Sequence, residues 1–249
     1  MLSILVVDDD PMICKTMGDV IRLKGYHCDT AYDGGQAISM VKEKDYQCVF
    51  MDIKMPGKSG VEVFKEIKKF SPKTLVILIT AFTSDSLVLE AKEEGALVVL
   101  PKPLNLKEIN KFLRFLEKGK SVFIVDDDNH FCKTLANVLS LKGYRIEVAL
   151  SAEEAIEKID KDKMDIVLLD MKLNHMSGLD VLKKIKKIRK DIQVILITGY
   201  YEEMRPAIDK ALRLSAYTCL SKPVDMEILL GLLERIYKNK IKRFFRVTL

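Results

Sequence analysis

Two acids, Asp8 and Asp9, close a short aliphatic run, and a single acid, Asp52, closes another. Thr80 ends a third run, and Lys102 follows a fourth. The set recurs as Asp126, Asp127, Asp170, Thr198 and Lys222. The step from Asp8 to Asp52 equals that from Asp126 to Asp170, and the step from Asp52 to Thr80 equals that from Asp170 to Thr198. Carboxylates gathered in one place repel and drive one another toward protonation. A hard divalent cation relieves that conflict, and Mg²⁺ takes carboxylate oxygens together with water and phosphate. A lysine ammonium is a point charge suited to phosphate oxygens, and a threonine hydroxyl can donate to one. The chemistry expected is therefore an Mg²⁺ and phosphoryl site in each half, with Asp52 or Asp170 as a carboxylate nucleophile. Positioning and charge neutralisation would do the work. Taken singly, each piece has a blander explanation. An acid pair after a strand is more often a helix cap, and a Thr or Lys there is usually a polar loop residue. The whole set at matched spacing, twice, argues against that.

Such residues converge only if the runs they end lie side by side. Sliding the chain until Asp8 falls on Asp126 superposes VVDDD (6–10) on IVDDD (124–128), CKT (14–16) on CKT (132–134), LKGY (23–26) on LKGY (141–144) and VILIT (76–80) on VILIT (194–198). The Lys-Pro pairs 102–103 and 222–223 align after a short insertion. Two copies of so long a period mean duplicated domains rather than a solenoid. Five short apolar runs alternate with amphipathic stretches in each half. ILVV (4–7), QCVFM (47–51), LVILI (75–79) and ALVVL (96–100) mark the first, with a weak run near 27–31. VFIV (122–125), YRIEVAL (144–150), DIVLL (165–169), VILI (194–197) and AYTCL (216–220) mark the second. Unbroken aliphatic runs of this length read as strands buried on both faces. Val61, Phe64 and Ile67 mark one helical stripe, and Val181, Leu182, Ile185 and Ile188 another. Asp10 before Pro11 is a helix start. The alternation predicts an α/β fold: two doubly wound (βα)5 domains, each a parallel sheet covered on both sides. In such a sheet, ligands sit at the carboxyl ends of the strands.

The expected domains are 1–118 and 119–237, followed by a basic tail, 238–249. Residues 1–118 carry equal numbers of acids and bases, whereas the tail holds Lys238, Lys240, Lys242, Arg243 and Arg246 and no acid. The net charge of +5 is thus a property of the tail, which is weak support for nucleic acid binding. Phe244-Phe245 among those bases would touch a partner or an acidic membrane surface, or simply extend the last helix. No apolar run approaches a membrane span, and the start lacks the basic region of a secretory signal. The five scattered cysteines are read as apolar filler in a cytoplasmic protein. There is no GxxxxGK loop, no GxGxxG after a strand and no metal-thiolate cluster.

With these motifs in place, the chain resembles the receiver domain of bacterial two-component response regulators, the CheY-like, flavodoxin-like fold. ILVVDDD, MDIKMPGKSG, VILITA and Lys-Pro carry the resemblance in the first half, and FIVDDD, LDMKLNHMSG, VILITG and SKP in the second. It implies a sheet order of 2-1-3-4-5 and an aspartyl phosphate on Asp52 and Asp170. The phosphoryl group would come from a sensor histidine kinase or a histidine phosphotransfer protein. One Mg²⁺ per domain would sit on Asp8, Asp9, Asp52 and the Lys54 carbonyl, and on Asp126, Asp127, Asp170 and the Lys172 carbonyl. Thr80, Lys102, Thr198 and Lys222 would contact the phosphoryl group, and the Lys-Pro bonds would be cis. On this reading the chain is a phosphoacceptor signalling protein rather than an enzyme for an external substrate. It would signal through altered contacts with a downstream protein, with a homodimer allowed and no DNA-binding domain in the chain. None of His27, His130 and His175 sits on a dimerising-helix pattern, so the chain is read as a recipient only. A scaffold that binds partners unphosphorylated and an Mg²⁺-dependent phosphatase of similar topology are the other classes the residues admit. Val99 and Cys219 stand where the family usually has a switch aromatic, and Asn174-His175 replaces the proline-containing turn. Phe82 and Tyr200, two positions beyond each Thr, would screen an acyl phosphate from water.

Overall fold

The computed structural model describes residues 1–82, 84–161 and 164–245. The chain divides into two compact units. Unit 1 is Met1–Glu117 together with the residues from Lys238 onward, and unit 2 is Lys118–Tyr237. In unit 1, β1 (Ser3–Val7), α1 (Pro11–Leu23), β2 (His27–Ala31), α2 (Gly34–Glu43), β3 (Cys48–Asp52), α3 (Gly60–Phe70), β4 (Leu75–Thr80), α4 (Ser86–Glu93), β5 (Val98–Pro101) and α5 (Leu106–Lys118) follow in order. Unit 2 repeats the series as β6 (Lys120–Val125), α6 (Asn129–Leu141), β7 (Tyr144–Ala149), α7 (Ala152–Lys161), β8 (Ile166–Asp170), α8 (Gly178–Ile188), β9 (Gln193–Thr198), α9 (Arg205–Arg213), β10 (Thr218–Ser221) and α10 (Met226–Phe244).

Both sheets are parallel, in the order β2-β1-β3-β4-β5 and its equivalent β7-β6-β8-β9-β10. The order 2-1-3-4-5 is the one the resemblance implied. Central strands are buried along their whole length, as β3 and β8 are, because helices cover both faces. Alternate residues feed opposite layers. In β6, Phe123 and Val125 join the α7, α8 and α9 side, while Val122 and Ile124 face α6 and α10. The edge strand β2 is more exposed. Pro101 pairs with Thr80 on edge strand β5, where a missing donor is tolerated.

The helices begin where polar residues cap them. The Asp10 side chain accepts from the Met12 amide and Pro11 takes the first turn, while Asp128 caps α6 through the His130 and Phe131 amides. Ser59 and Glu62 form a capping box at α3. The segment read as a basic tail is helical in large part, because α10 continues to Phe244. Arg246, the last base of that segment, lies outside the described residues. Among the described residues no helix is long and apolar enough to cross a membrane.

The Ser-Gly pair at each third helix has a steric reason. A Cβ on Gly60 would lie 2.1 Å from the Asp52 carbonyl oxygen, and one on Gly178 would lie 2.4 Å from that of Asp170. Glycine therefore lets each helix start directly against the aspartate that ends the third strand of its unit. Gly60→Ala or Gly178→Ala forces backbone to move, and each is expected to lower stability by about 1–3 kcal/mol. Urea unfolding of each variant checks this; an unchanged midpoint would contradict it.

Candidate functional site

Order 2-1-3-4-5 reverses the direction of winding between β1 and β3, so a crevice opens at the carboxyl ends of these two strands. Asp8 follows β1 directly and Asp52 ends β3. Lys102 follows β5, and its amide donates to the Thr80 carbonyl at 2.7 Å, which ties the lysine backbone to β4. From there its ammonium reaches Asp8 at 2.8 Å and Asp52 at 3.0 Å. Asp8 and Asp52 are both buried, whereas Asp9 is exposed. Asp8 also accepts from the Asp10 amide at 3.0 Å, so one of its oxygens faces the helix start and the other the lysine.

Unit 2 repeats the plan with a different balance. Lys222 lies 2.6 Å from Asp126 and 3.5 Å from Asp170. Its amide donates to the Thr198 carbonyl at 2.7 Å. Asp126, Asp127 and Asp170 each offer an oxygen within 4.8 Å of the other two, and among the described residues only this trio gathers so tightly. An all-oxygen, all-carboxylate donor set of that span fits a hard divalent cation. An open cleft of about 600 Å³ lies over it, lined by Asp127, Asp170, Lys172, Gly199, Tyr200 and Lys222 among others.

Burial raises the Asp170 carboxyl to about 6, with the Asp126 charge adding to the effect and Lys222 and the Lys172 amide opposing it. Asp52 is raised for the same leading reason, against the pull of the Lys102 ammonium. Burial disfavours the charged form of both lysines, yet their hydrogen bonds and ion pairs with the acids prevail and hold both above the ordinary lysine value.

The two threonines are fully buried at the strand ends, and their hydroxyls are held by their own loops. Thr80 Oγ1 accepts from the Phe82 amide at 3.0 Å, and Thr198 Oγ1 accepts from the Tyr200 amide at 3.1 Å and faces Met204 Sδ at 3.5 Å. The geometry thus brings acids and lysine together but turns both hydroxyls toward the loops. Val99 and Cys219, the residues in place of an aromatic, are half-buried against the layers holding α2–α4 and α7–α9. His175 is exposed in its loop, and His130 is exposed in the first turn of α6. Both Lys-Pro bonds are cis, as the resemblance implied.

Several neighbours were not anticipated. Lys54 forms an ion pair with Asp85 at 2.6 Å and lies 4.6 Å from the Phe82 ring centre, while Lys172 lies 4.1 Å from that of Tyr200. Lys222 rests over Phe131 at 4.4 Å, and the aligned position in unit 1 is Ile13. That difference between the repeats was the available signal. Behind each acid pair stands a thiol: Cys14 donates to the Asp8 carbonyl at 3.3 Å and Cys132 to that of Asp126 at 3.4 Å. Burial pushes these thiols up to about 11 and about 12.

Residues 4–114 and 122–234 each match the response regulator receiver domain model. The chain belongs to this family and carries its domain twice. A response regulator receiver protein of Anaeromyxobacter sp. (strain Fw109-5) is 25% identical over 236 residues, 95% of each chain. The transcriptional regulatory protein ZraR of Klebsiella oxytoca is 40% identical over 108 residues, which are 43% of this chain and 24% of that protein. The chain therefore spans about a quarter of ZraR. Among solved structures, a CheY-like response regulator receiver domain protein from Methanospirillum hungatei JF-1 is 30% identical over 50% of this chain and 97% of its own, with a TM-score of 0.45.

The raised Asp170 carboxyl has a definite sign in stability. Folding favours its protonated form, so the stabilising contribution is complete below about pH 4 and is lost as pH rises through about 6. In EDTA, Asp170→Asn is expected to stabilise unit 2 at pH 7 by about 1–3 kcal/mol, with the gain vanishing near pH 4. Thermal unfolding of both proteins across that range checks it; a pH-independent difference would contradict the burial argument.

Proposed function

We propose that each receiver domain, residues 1–118 and 119–237, accepts a phosphoryl group on one aspartate, Asp52 or Asp170. The observation that carries this reading is the lysine ammonium held against a buried acid pair at the winding reversal of each sheet. In the reaction, an Asp carboxylate oxygen attacks phosphorus, a P–O bond forms, and the bond to the donor breaks with its electron pair leaving on the donor nitrogen or oxygen. A phosphohistidine on a kinase or phosphotransfer protein fits the donor role, because its imidazole is a good leaving group for in-line transfer.

Lys102 and Lys222 neutralise charge on the transferring group, and in the resting protein they offset the mutual repulsion of the acids. A Mg²⁺ held by Asp8, Asp9, Asp52 and the Lys54 carbonyl, or by Asp126, Asp127, Asp170 and the Lys172 carbonyl, would supply further neutralisation of the phosphoryl oxygens. Thr80 and Thr198 reach the phosphoryl group only after leaving their loop partners, and that movement is the proposed origin of altered contacts with a downstream protein. The site has no additional acid or base for turnover of an external substrate among the residues it gathers, so the chain acts in signalling and catalyses only its own phosphorylation and dephosphorylation. A cytoplasmic location follows from this role.

With Mg²⁺ and acetyl phosphate, intact mass is expected to rise by two phosphoryl groups, and Asp52→Asn and Asp170→Asn each remove one. No uptake would favour a scaffold, and continuous phosphate release from many donors would favour a phosphatase. Phe82 and Tyr200 are partly exposed beneath Lys54 and Lys172, a cover that slows attack by water on the acyl phosphate. Phe82→Ala and Tyr200→Ala are expected to shorten the phosphorylated lifetime of their own domain by roughly tenfold, the scale of a ~1.4 kcal/mol barrier change. Unaltered decay of the aspartyl phosphate, followed by mass, would remove this role.

A further inference from the structure

The last helix of unit 1 carries more apolar surface than its own sheet can use. Ile109, Phe112 and Leu113 form the inward stripe of α5, and Phe112 stands edge-on to Phe50 of β3 at 6.5 Å. Phe115 lies to one side of that stripe, one turn beyond Phe112, yet it is only 7% exposed. What covers it is the far end of the chain. Phe245 lies 4.8 Å from Phe112, centre to centre, and Phe244 lies 4.7 Å from Phe115. Lys240 sits over the Phe115 ring at 5.5 Å, and Ile241 is buried at 2% exposure. These residues belong to unit 1, although α10, the helix that carries most of them, begins in unit 2.

The duplication supplies an internal control. Aligned on the Lys-Pro pairs, Phe112 and Phe115 of α5 match Leu232 and Arg235 of α10. Leu232 is half-buried, and Arg235 is exposed with its Nε donating to the Tyr217 hydroxyl at 2.8 Å. The copy with a charged residue at this position leaves it in water. The copy with an aromatic there is the one that the chain's own aromatics cover. Both sides of the contact therefore bear the residues the contact needs, and the bases of the segment flank an aromatic pair rather than form a uniform basic face.

We infer that residues 238–245 are a built-in cover for the Phe112–Phe115 face of α5, and that this face is a docking surface for a helix bearing an aromatic pair flanked by lysines, kept filled by the chain itself. An outside helix of the same chemistry gains the face only by displacing the cover. The inference stands apart from phosphorylation, because it uses no residue of either acidic site.

Hydrogen exchange on the full chain tests it. In Phe244→Ala/Phe245→Ala, amides of residues 106–118 are expected to exchange at least about tenfold faster, with unit 2 strands unchanged. In Phe115→Arg, which copies the second unit at this position and removes the ring that Phe244 covers, residues 238–245 are expected to lose protection. A labelled peptide of residues 234–245 is expected to bind the double variant and not the wild-type chain. Unchanged exchange in both variants, or equal peptide binding to wild type and double variant, overturns the proposal.

Discussion

Two carboxylates buried at one sheet edge are the constraint on which the rest of each unit rests. Asp8 and Asp52 are almost free of solvent, and so are Asp126 and Asp170. Like charges in so dry a place cannot stand without a cation between them. The lysine after the fifth strand fills that need, and much of the architecture serves to deliver it. Its backbone is tied to the end of the fourth strand, and the glycine opening the third helix allows that helix to press on the aspartate ending the third strand. Parallel strands bring all of these ends to the same edge. The matched steps from acid pair to single acid to threonine are the linear trace of that single edge.

The two copies solve the same problem with different weights. In unit 1 the lysine is shared nearly evenly by both acids, whereas in unit 2 it leans toward Asp126 and rests on Phe131. A weaker hold on Asp170 leaves its burial less compensated, and its carboxyl is correspondingly easy to protonate. Around unit 1, Lys54 is pinned to the helix-capping Asp85, while Lys172 lies over the Tyr200 ring. Equal motifs thus sit in unequal electrostatic surroundings.

Much of this was legible in the chain because it is governed by local period and by repetition. Unbroken aliphatic runs such as VILIT announced buried strands, and the structure extends them by a residue to take in Asp52, Thr80, Asp170 and Thr198. The position of each acid at a strand end followed from the same pattern. What was hidden depends on contacts between residues distant in sequence or on side-chain rotation. Nothing local says that Lys54 will choose Asp85, or that the Thr80 hydroxyl will turn to the Phe82 amide. Phe244 and Phe245 looked like a basic terminus because their partners, Phe112 and Phe115, lie far back in the chain, in the last helix of the first repeat. Only the difference between Phe115 and Arg235 in the two repeats hinted at it.

The thiols of Cys14 and Cys132 back directly onto the acid pairs, so an oxidised sulfur there would disturb the site at its root. Burial holds both in the neutral form near pH 7, and Cys28 and Cys219 are pushed up to about 11 in the same way. Peroxides and disulfides react with thiolate, not with a shielded thiol. The acid-bearing strand ends are therefore backed by thiols that burial keeps protonated and shields from reaction as thiolates.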